Sequence, residues 1–313
     1  MSAQLPMLIS IVVPTFNRPE RLENALESIS LQEGARFEVI VVNDGGADVG
    51  EIVALWSRVM SVRYVQLPVN AGLARARNAA IREARGDIIA FLDDDDVMLA
   101  GHLRAGVQEL GDSDVVDAVY TQVALCDEFI APGAVPTAHQ IKAHYRAAFD
   151  DRLLLICNFM PVNALFIRRR DAIPILFDEG LPQLEDWDLW LRLHVRFGYR
   201  FRAVPLTTTV YHRVPGFRSM TNSSHTSADE AMRFRDTFRK IADRYRSDDD
   251  LVQQGRALHD HFYTAVANAS SAGRFELAFA YERFVEWMAA FAAQGLDATT
   301  VRARIDSLLS APT

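Results

Sequence analysis

Four β-rich runs with helical segments between them constrain this chain more than any other feature of it. LISIVVP (8–14), FEVIVVN (37–43), VRYVQL (62–67) and DIIAFL (87–92) are rich in branched apolar residues. Such runs suit strands that are buried on both faces. In RPERLENALESISLQ, Leu22, Ala25, Leu26 and Ile29 fall at i, i+3, i+4 and i+7, and Pro19 suits a first helical turn. LARARNAAIREA (73–84) reads as a second helix. The order βαβαβαβ predicts a parallel sheet with helices on both faces.

Beyond residue 99 the pattern loosens. HLRAGVQEL predicts a helix, DAVYTQVAL (117–125) a strand, and a Pro- and Gly-rich loop region follows. VNALFIRR (162–169) and FRAVPLTTTVYHR (201–213) predict two more strands, with the helix LEDWDLWLRLHVRFG between them. After about residue 226 everything reads as helix, over 228–246, 250–271, 274–293 and 297–310. A boundary near 225 divides the chain into residues 1–225 and a helical region, 226–313.

With 313 residues, half of them hydrophobic, the chain can bury a sizeable core. Its net charge of −8 argues against gripping nucleic acid, which rests on Lys and Arg contacts to phosphate. Two cysteines, Cys126 and Cys157, make neither a disulfide framework nor a zinc spacing. No signal peptide and no apolar stretch of about 20 residues stands out. The expected location is cytoplasmic, with a peripheral contact at the inner face of a membrane left open.

The stretch GDIIAFLDDDDVML places four carboxylates, Asp93 to Asp96, directly after an apolar run. A solvated acidic turn is the plain alternative. Position favours a metal–phosphate site, because ligands of open α/β sheets bind outside the carboxyl ends of the strands. Acids crowded there can share a hard divalent cation. Asp44, in VIVVNDGGAD, falls at the same edge. It is either a turn residue or an acceptor for a nucleobase N–H or ribose hydroxyl. Glu185 and Asp186 open a helix, where acids are ordinary complements of the dipole. Arg75 and Arg77 stand near another helix start. His212, Arg213 and Arg218 follow a strand, where a lone histidine is more often structural than a ligand.

Taken in order, ISIVVPTFNR, VIVVNDGG, NAGLARARN, GDIIAFLDDDD and LEDWDLWLR resemble the family 2 glycosyltransferases over about residues 8–215. The resemblance implies a GT-A fold, an α/β architecture with a mostly parallel central sheet. It places the family's DxD motif on Asp93, Asp94 and Asp95, with Asp95 the direct ligand of Mn²⁺ or Mg²⁺ and Asp93 beside it. It places the ED motif on Glu185 and Asp186, with Asp186 the catalytic base. Asp44 matches the base-contacting acid, although Asn43 stands where the family has a further acid. Pro14 and Phe16 match positions bordering the nucleotide, and Asn70 and Arg77 match the donor-contacting loop. The stretch after Tyr211 departs from the pattern, so His212, as a metal ligand, and Ser219 carry over only loosely.

The implied activity is metal-dependent, inverting transfer of a sugar from a nucleotide-sugar, with UDP the expected nucleotide. The acceptor is a hydroxyl of a glycan, lipid-linked or other molecule, as in polysaccharide or glycoconjugate synthesis. A nucleotidyltransferase is disfavoured, because the loop after the first strand, PTFNRPERL, has no glycine. A non-catalytic nucleotide-sugar-binding partner subunit is the other alternative. In the tail, ELAFAYERFVEWMAAF (276–291) carries Leu277, Tyr281, Phe284 and Met288 on one face, widened by Phe279, Val285 and Trp287. That width predicts packing on the chain's own domain and also a homo-oligomer contact, before a membrane surface, with a helical bundle that merely caps the sheet as the plain alternative.

Overall fold

The computed structural model describes residues 7–111, 113, 115–215, 217, 227–271 and 279–310. Its first third alternates as the pattern predicts: β1 (Leu8–Thr15), α1 (Pro19–Ser30), β2 (Arg36–Asn43), α2 (Gly50–Trp56), β3 (Val62–Gln66), α3 (Leu73–Glu83) and β4 (Ile88–Phe91). Then come β5 (Val97–Met98), α4 (His102–Gly111), β6 (Ala118–Cys126), β7 (Ile141–Tyr145), α5 (Asp151–Ile156), β8 (Leu165–Arg168), α6 (Glu185–Leu191) and β9 (Phe201–His212). Four helices follow: α7 (Ala228–Arg244), α8 (Asp250–Ser271), α9 (Ala280–Ala292) and α10 (Ala298–Ser310).

The strands form one sheet in the order β3-β2-β1-β4-β8-β6-β9-β5, with β7 added on β6. The parallel pairing expected from the alternation holds through β3, β2, β1 and β4. Beyond β4 the sheet is mixed: β8 runs antiparallel to β4 and β6, and β9 parallel to β6. Helices still lie between most of these strands, but β7 follows β6 directly and pairs with it antiparallel.

β1 shows why the runs are apolar throughout. Ile9, Ile11 and Val13 face α1 and α4, against Leu22, Leu26, Ile29, Leu103 and Leu110. Val12 faces the other way, into a core that holds Ala76 and Ala80 of α3 and Trp187 and Trp190 of α6. With helices on both faces, neither side of the strand meets water.

That second core does not stop at residue 225. It continues through Phe238, Phe262, Tyr263, Phe284, Met288, Val301 and Ile305 of the four C-terminal helices. Gly255 of α8 lies so close to α5 that an added Cβ would stand 2.5 Å from Ile156 Cδ1. Phe284, Val285 and Met288 are buried and Trp287 is half-buried within the chain. Part of the apolar width of this helix is therefore buried within the chain. Leu277 lies outside the described residues. No helix among the described residues is long and apolar enough to cross a membrane.

Candidate active site

A cavity of about 710 Å³ opens at the carboxyl ends of β1, β2 and β4. Its walls include Pro14, Phe16, Asp44, Asn70, Arg77, Asp93, Asp94, Asp95, Glu185 and Asp186, so one space gathers nearly every residue singled out in the sequence.

The four consecutive acids are each held by partners from elsewhere in the chain, Asp94 and Asp95 sharing one. Asp93 takes Arg77 Nη2 on both carboxylate oxygens, at 2.8 and 2.9 Å. Asp94 accepts from Thr15 Oγ1 at 2.7 Å and from Arg18 Nη1 at 3.0 Å. Asp95 accepts from the same Arg18 Nη1 at 2.8 Å. Asp96 turns inward and accepts from Asn163 Nδ2 at 2.8 Å and from the His212 N–H at 3.0 Å. Burial, reinforced by the neighbouring Asp94 charge, pushes the Asp95 carboxyl up to about 7.

Arg77 joins the two acidic motifs. Its other guanidinium nitrogen, Nη1, donates to Glu185 Oε1 at 2.7 Å, so one buried cation bridges the end of β4 and the start of α6. A bidentate guanidinium fixes direction as well as charge. Arg77 thus braces the two carboxylates. Burial pushes Glu185 up to about 7 even with this partner.

Asp186 stands beside it on the cavity wall. Asn158 Nδ2 donates to its Oδ2 at 2.8 Å, and the Trp187 N–H donates to its Oδ1 at 2.8 Å. Burial raises its pKa above the ordinary aspartate value. The residue before the pair, Leu184, has φ 59°, a left-handed backbone rare for a branched side chain. That turn delivers two acids in succession to the cavity.

Asp44 has a structural task. Its oxygens accept the N–H groups of Ala71 and Gly72, at 2.7 and 2.9 Å, and so seat the loop that carries Asn70. Gly45 permits the approach, since it has φ 72° and an added Cβ would lie 2.4 Å from the Asn70 nitrogen. Asn70 itself is exposed, and Phe16 is 40% exposed at the rim.

His212 sits against the backbone of the acid cluster. Its Nδ1 lies 2.6 Å from the Asp95 carbonyl oxygen, and its Nε2 accepts the Ile130 N–H at 3.0 Å. These bonds fix a neutral imidazole with the proton on Nδ1, and burial lowers its pKa to about 4. In this structure both ring nitrogens bond to main chain. The ring thereby holds the backbone at Asp95. Arg218 and Ser219 lie outside the described residues.

Comparison with known proteins decides the family. The family model described as glycosyl transferase family 2 matches residues 10–176. The chain belongs to that family. An uncharacterized glycosyltransferase, YwdF, of Bacillus subtilis is 32% identical over 206 residues, 66% of this chain and 74% of the relative. The amylovoran biosynthesis glycosyltransferase AmsB of Erwinia amylovora is 28% identical over 225 residues, 67% of this chain and 71% of the relative. Among solved structures, the mannosyltransferase PcManGT of Pyrobaculum calidifontis, in complex with GDP-Man and Mn²⁺, superposes with a TM-score of 0.61 at 18% identity. The alignment covers 96% of this chain and 88% of that one. S. aureus TarS 1-349 in complex with UDP-GlcNAc gives a TM-score of 0.56 at 18% identity, over 97% and 90%. At those identities the two structures establish the fold, GT-A, and the family establishes the reaction class, glycosyl transfer.

Three parts of this family member's site had no strong sequence signal. Arg18 sits in NRPERL, where an arginine ahead of a proline-started helix looks like ordinary surface. Asn158 lies in a stretch read as loop. The third part is the far wall of the cavity, formed by Tyr145, Tyr211, Phe234, Tyr263 and Tyr281, three of them from the C-terminal helices. Tyr281 donates to the Asn158 carbonyl at 3.0 Å, which ties α9 to the residue that holds Asp186.

Among the described residues, no group of three or more His, Cys, Asp or Glu side chains converges as a metal cage. The donor set still suits a hard cation that takes most of its oxygens from a diphosphate, since such ions are commonly held by one or two carboxylates plus phosphate. Asp95, an oxygen donor on the cavity wall, fits that role. Asp93 is engaged by Arg77 and Asp96 points away.

Proposed function

We propose that this family 2 enzyme is a metal-dependent, inverting glycosyltransferase. Its donor is a nucleoside diphosphate sugar, with UDP the favoured nucleotide, and its acceptor is a hydroxyl of a growing glycan or glycoconjugate. One observation carries the reading: a single cavity is lined at one end by Asp44 and Asp93–Asp95 and on another wall by Asp186.

In this reading the nucleotide lies along Pro14, Phe16, Asp44 and Asn70, at the ends of β1 and β2. Asp95 would hold Mn²⁺ or Mg²⁺, which when bound would stabilise the charge of the leaving diphosphate. Arg77 keeps Asp93 and Glu185 at fixed separation. Asp186 takes the proton of the acceptor hydroxyl as that oxygen attacks the anomeric carbon. A pKa raised by burial makes it a better base near neutral pH than a surface aspartate, while Asn158 fixes its direction. One base and one displacement give inversion. The Tyr and Phe wall supplies flat apolar faces on which the acceptor rests. The Mn²⁺ and nucleotide-sugar complexes of PcManGT and TarS 1-349 support the donor and metal assignments by analogy of fold.

The test is donor hydrolysis by the full chain across a panel of nucleotide-sugars with Mn²⁺. Turnover of at least one donor, abolished together with Mn²⁺-dependent UDP binding in Asp95→Ala, is the expected result. UDP binding with no turnover of any donor would leave a binding subunit instead.

A further inference from the structure

Arg18 is oddly placed. It is the N-cap residue of α1, makes no side-chain cap bond there, and puts a cation where the helix dipole disfavours one. What holds the guanidinium in place is the acid cluster. Nη1 bridges Asp94 Oδ1 at 3.0 Å and Asp95 Oδ2 at 2.8 Å, and the group also lies 5.0 Å from the Phe217 ring centre. Its side chain is 27% exposed at the cavity, whereas those of Asp94 and Asp95 are below 10%. The oxygen best placed to ligate a metal is therefore already an ion-pair partner.

We propose that Arg18 is the resident cation of the divalent-metal site. It neutralises Asp94 and Asp95 while no metal is bound, yields Asp95 to the metal, and turns on its long side chain to the nucleotide's diphosphate. The proposal rests on the metal reading above and deepens it. Two buried carboxylates this close need a positive partner in either state. A divalent cation and a guanidinium on the same carboxylate repel one another, so metal alone competes with Arg18. Metal arriving with a diphosphate does not, because the phosphates give the released guanidinium a new bidentate anion. Arg18 thereby makes metal affinity depend on nucleotide. The arrangement is reciprocal, since the coupling between two ligands acts equally on both.

The experiment measures Mn²⁺ binding by the electron paramagnetic resonance signal of free Mn²⁺, with and without UDP, on full-length wild type, Arg18→Gln and Arg18→Lys. Arg18→Gln is expected to bind Mn²⁺ alone about tenfold more tightly, the equivalent of roughly 1.4 kcal/mol. The same variant is expected to bind UDP several-fold more weakly at saturating Mn²⁺. Arg18→Lys, which keeps the charge without the fork, falls between on both readings. A merely structural Arg18 would weaken both or neither. Mn²⁺ affinity that is unchanged or reduced in Arg18→Gln, in a protein that still binds Mn²⁺, overturns the role of Arg18 alone. Absence of Mn²⁺ binding in all three proteins, with and without UDP, overturns the metal reading and the proposal with it.

Discussion

The two ends of the cavity are built on different principles. At the donor end, Asp44 and Asp93–Asp95 stand at the ends of buried strands, and each is paired by a guanidinium, a hydroxyl or an N–H from elsewhere in the first half of the chain. At the far end, three of the five aromatic rings stand on the C-terminal helices and two on strands, with a buried ion pair beside them. Arg213, at the end of β9, pairs with Glu282 of α9 through both guanidinium nitrogens, at 3.0 and 2.8 Å, with both side chains almost wholly buried. Tyr145 donates to the same carboxylate at 2.8 Å. Changes at the strand ends should therefore alter chemistry and leave folding intact. Changes in the helical wall should alter stability first.

The largest expected effect is on the wall that carries Asp186. Asp186→Asn keeps shape and hydrogen-bonding reach but cannot accept a proton. Turnover should drop by roughly 10²–10⁴, the usual contribution of a general base, with UDP affinity within a few-fold of wild type. Steady-state kinetics beside calorimetric UDP binding tests this. Near-normal turnover would return Asp186 to the ordinary role of a helix-start acid.

Next is the far end. Arg213→Leu leaves the Glu282 carboxylate buried without its cation, which costs about 3–5 kcal/mol when one partner of a buried pair is removed. Urea unfolding should show the loss, and a midpoint like that of wild type would break the contrast drawn here.

A smaller effect is expected from pH. As the proposed base Asp186 would work ionised, and burial holds its pKa above the ordinary carboxylate value. As pH falls through that raised pKa the base is protonated and kcat/KM declines, at a higher pH than an exposed aspartate would give. The acid limb should vanish from the residual activity of Asp186→Asn; its persistence would assign the limb to another group.

Smallest is Tyr281→Phe, which removes one hydrogen bond to the Asn158 carbonyl at a cost of about 1 kcal/mol. If it lowers turnover more than stability, α9 helps aim Asn158 at Asp186. If only the unfolding midpoint moves, the wall is scaffold.

The same contrast explains what was legible in the sequence. Strands buried on both faces leave continuous branched runs, and the acids that end them stand out against that background, so β1 to β4, Asp44 and Asp93–Asp96 could be read directly. The family resemblance added roles for Arg77, Glu185 and Asp186. The short elements α2, β5, β7 and α5 could not be read, because two to seven residues are too few to show a period, although Asp150 caps α5 by accepting the Leu153 N–H at 2.8 Å. The pairing of Arg18 with Asp94 and Asp95, and of His212 with main chain, depends on contacts between residues 76 or more apart. No local pattern encodes those. The aromatic wall was hidden for a different reason: Tyr263 and Tyr281 look like any other members of an apolar helix stripe.

The buried Arg213–Glu282 pair has a consequence for anyone recombining relatives of this enzyme. A tail cannot be exchanged as a cassette, because a donor sequence lacking an acid at the position of Glu282 would strand a guanidinium beneath the acceptor wall. Grafts that carry β9 and α9 from one parent would keep the lock and its key together, and those that split them would express poorly whatever the quality of each half.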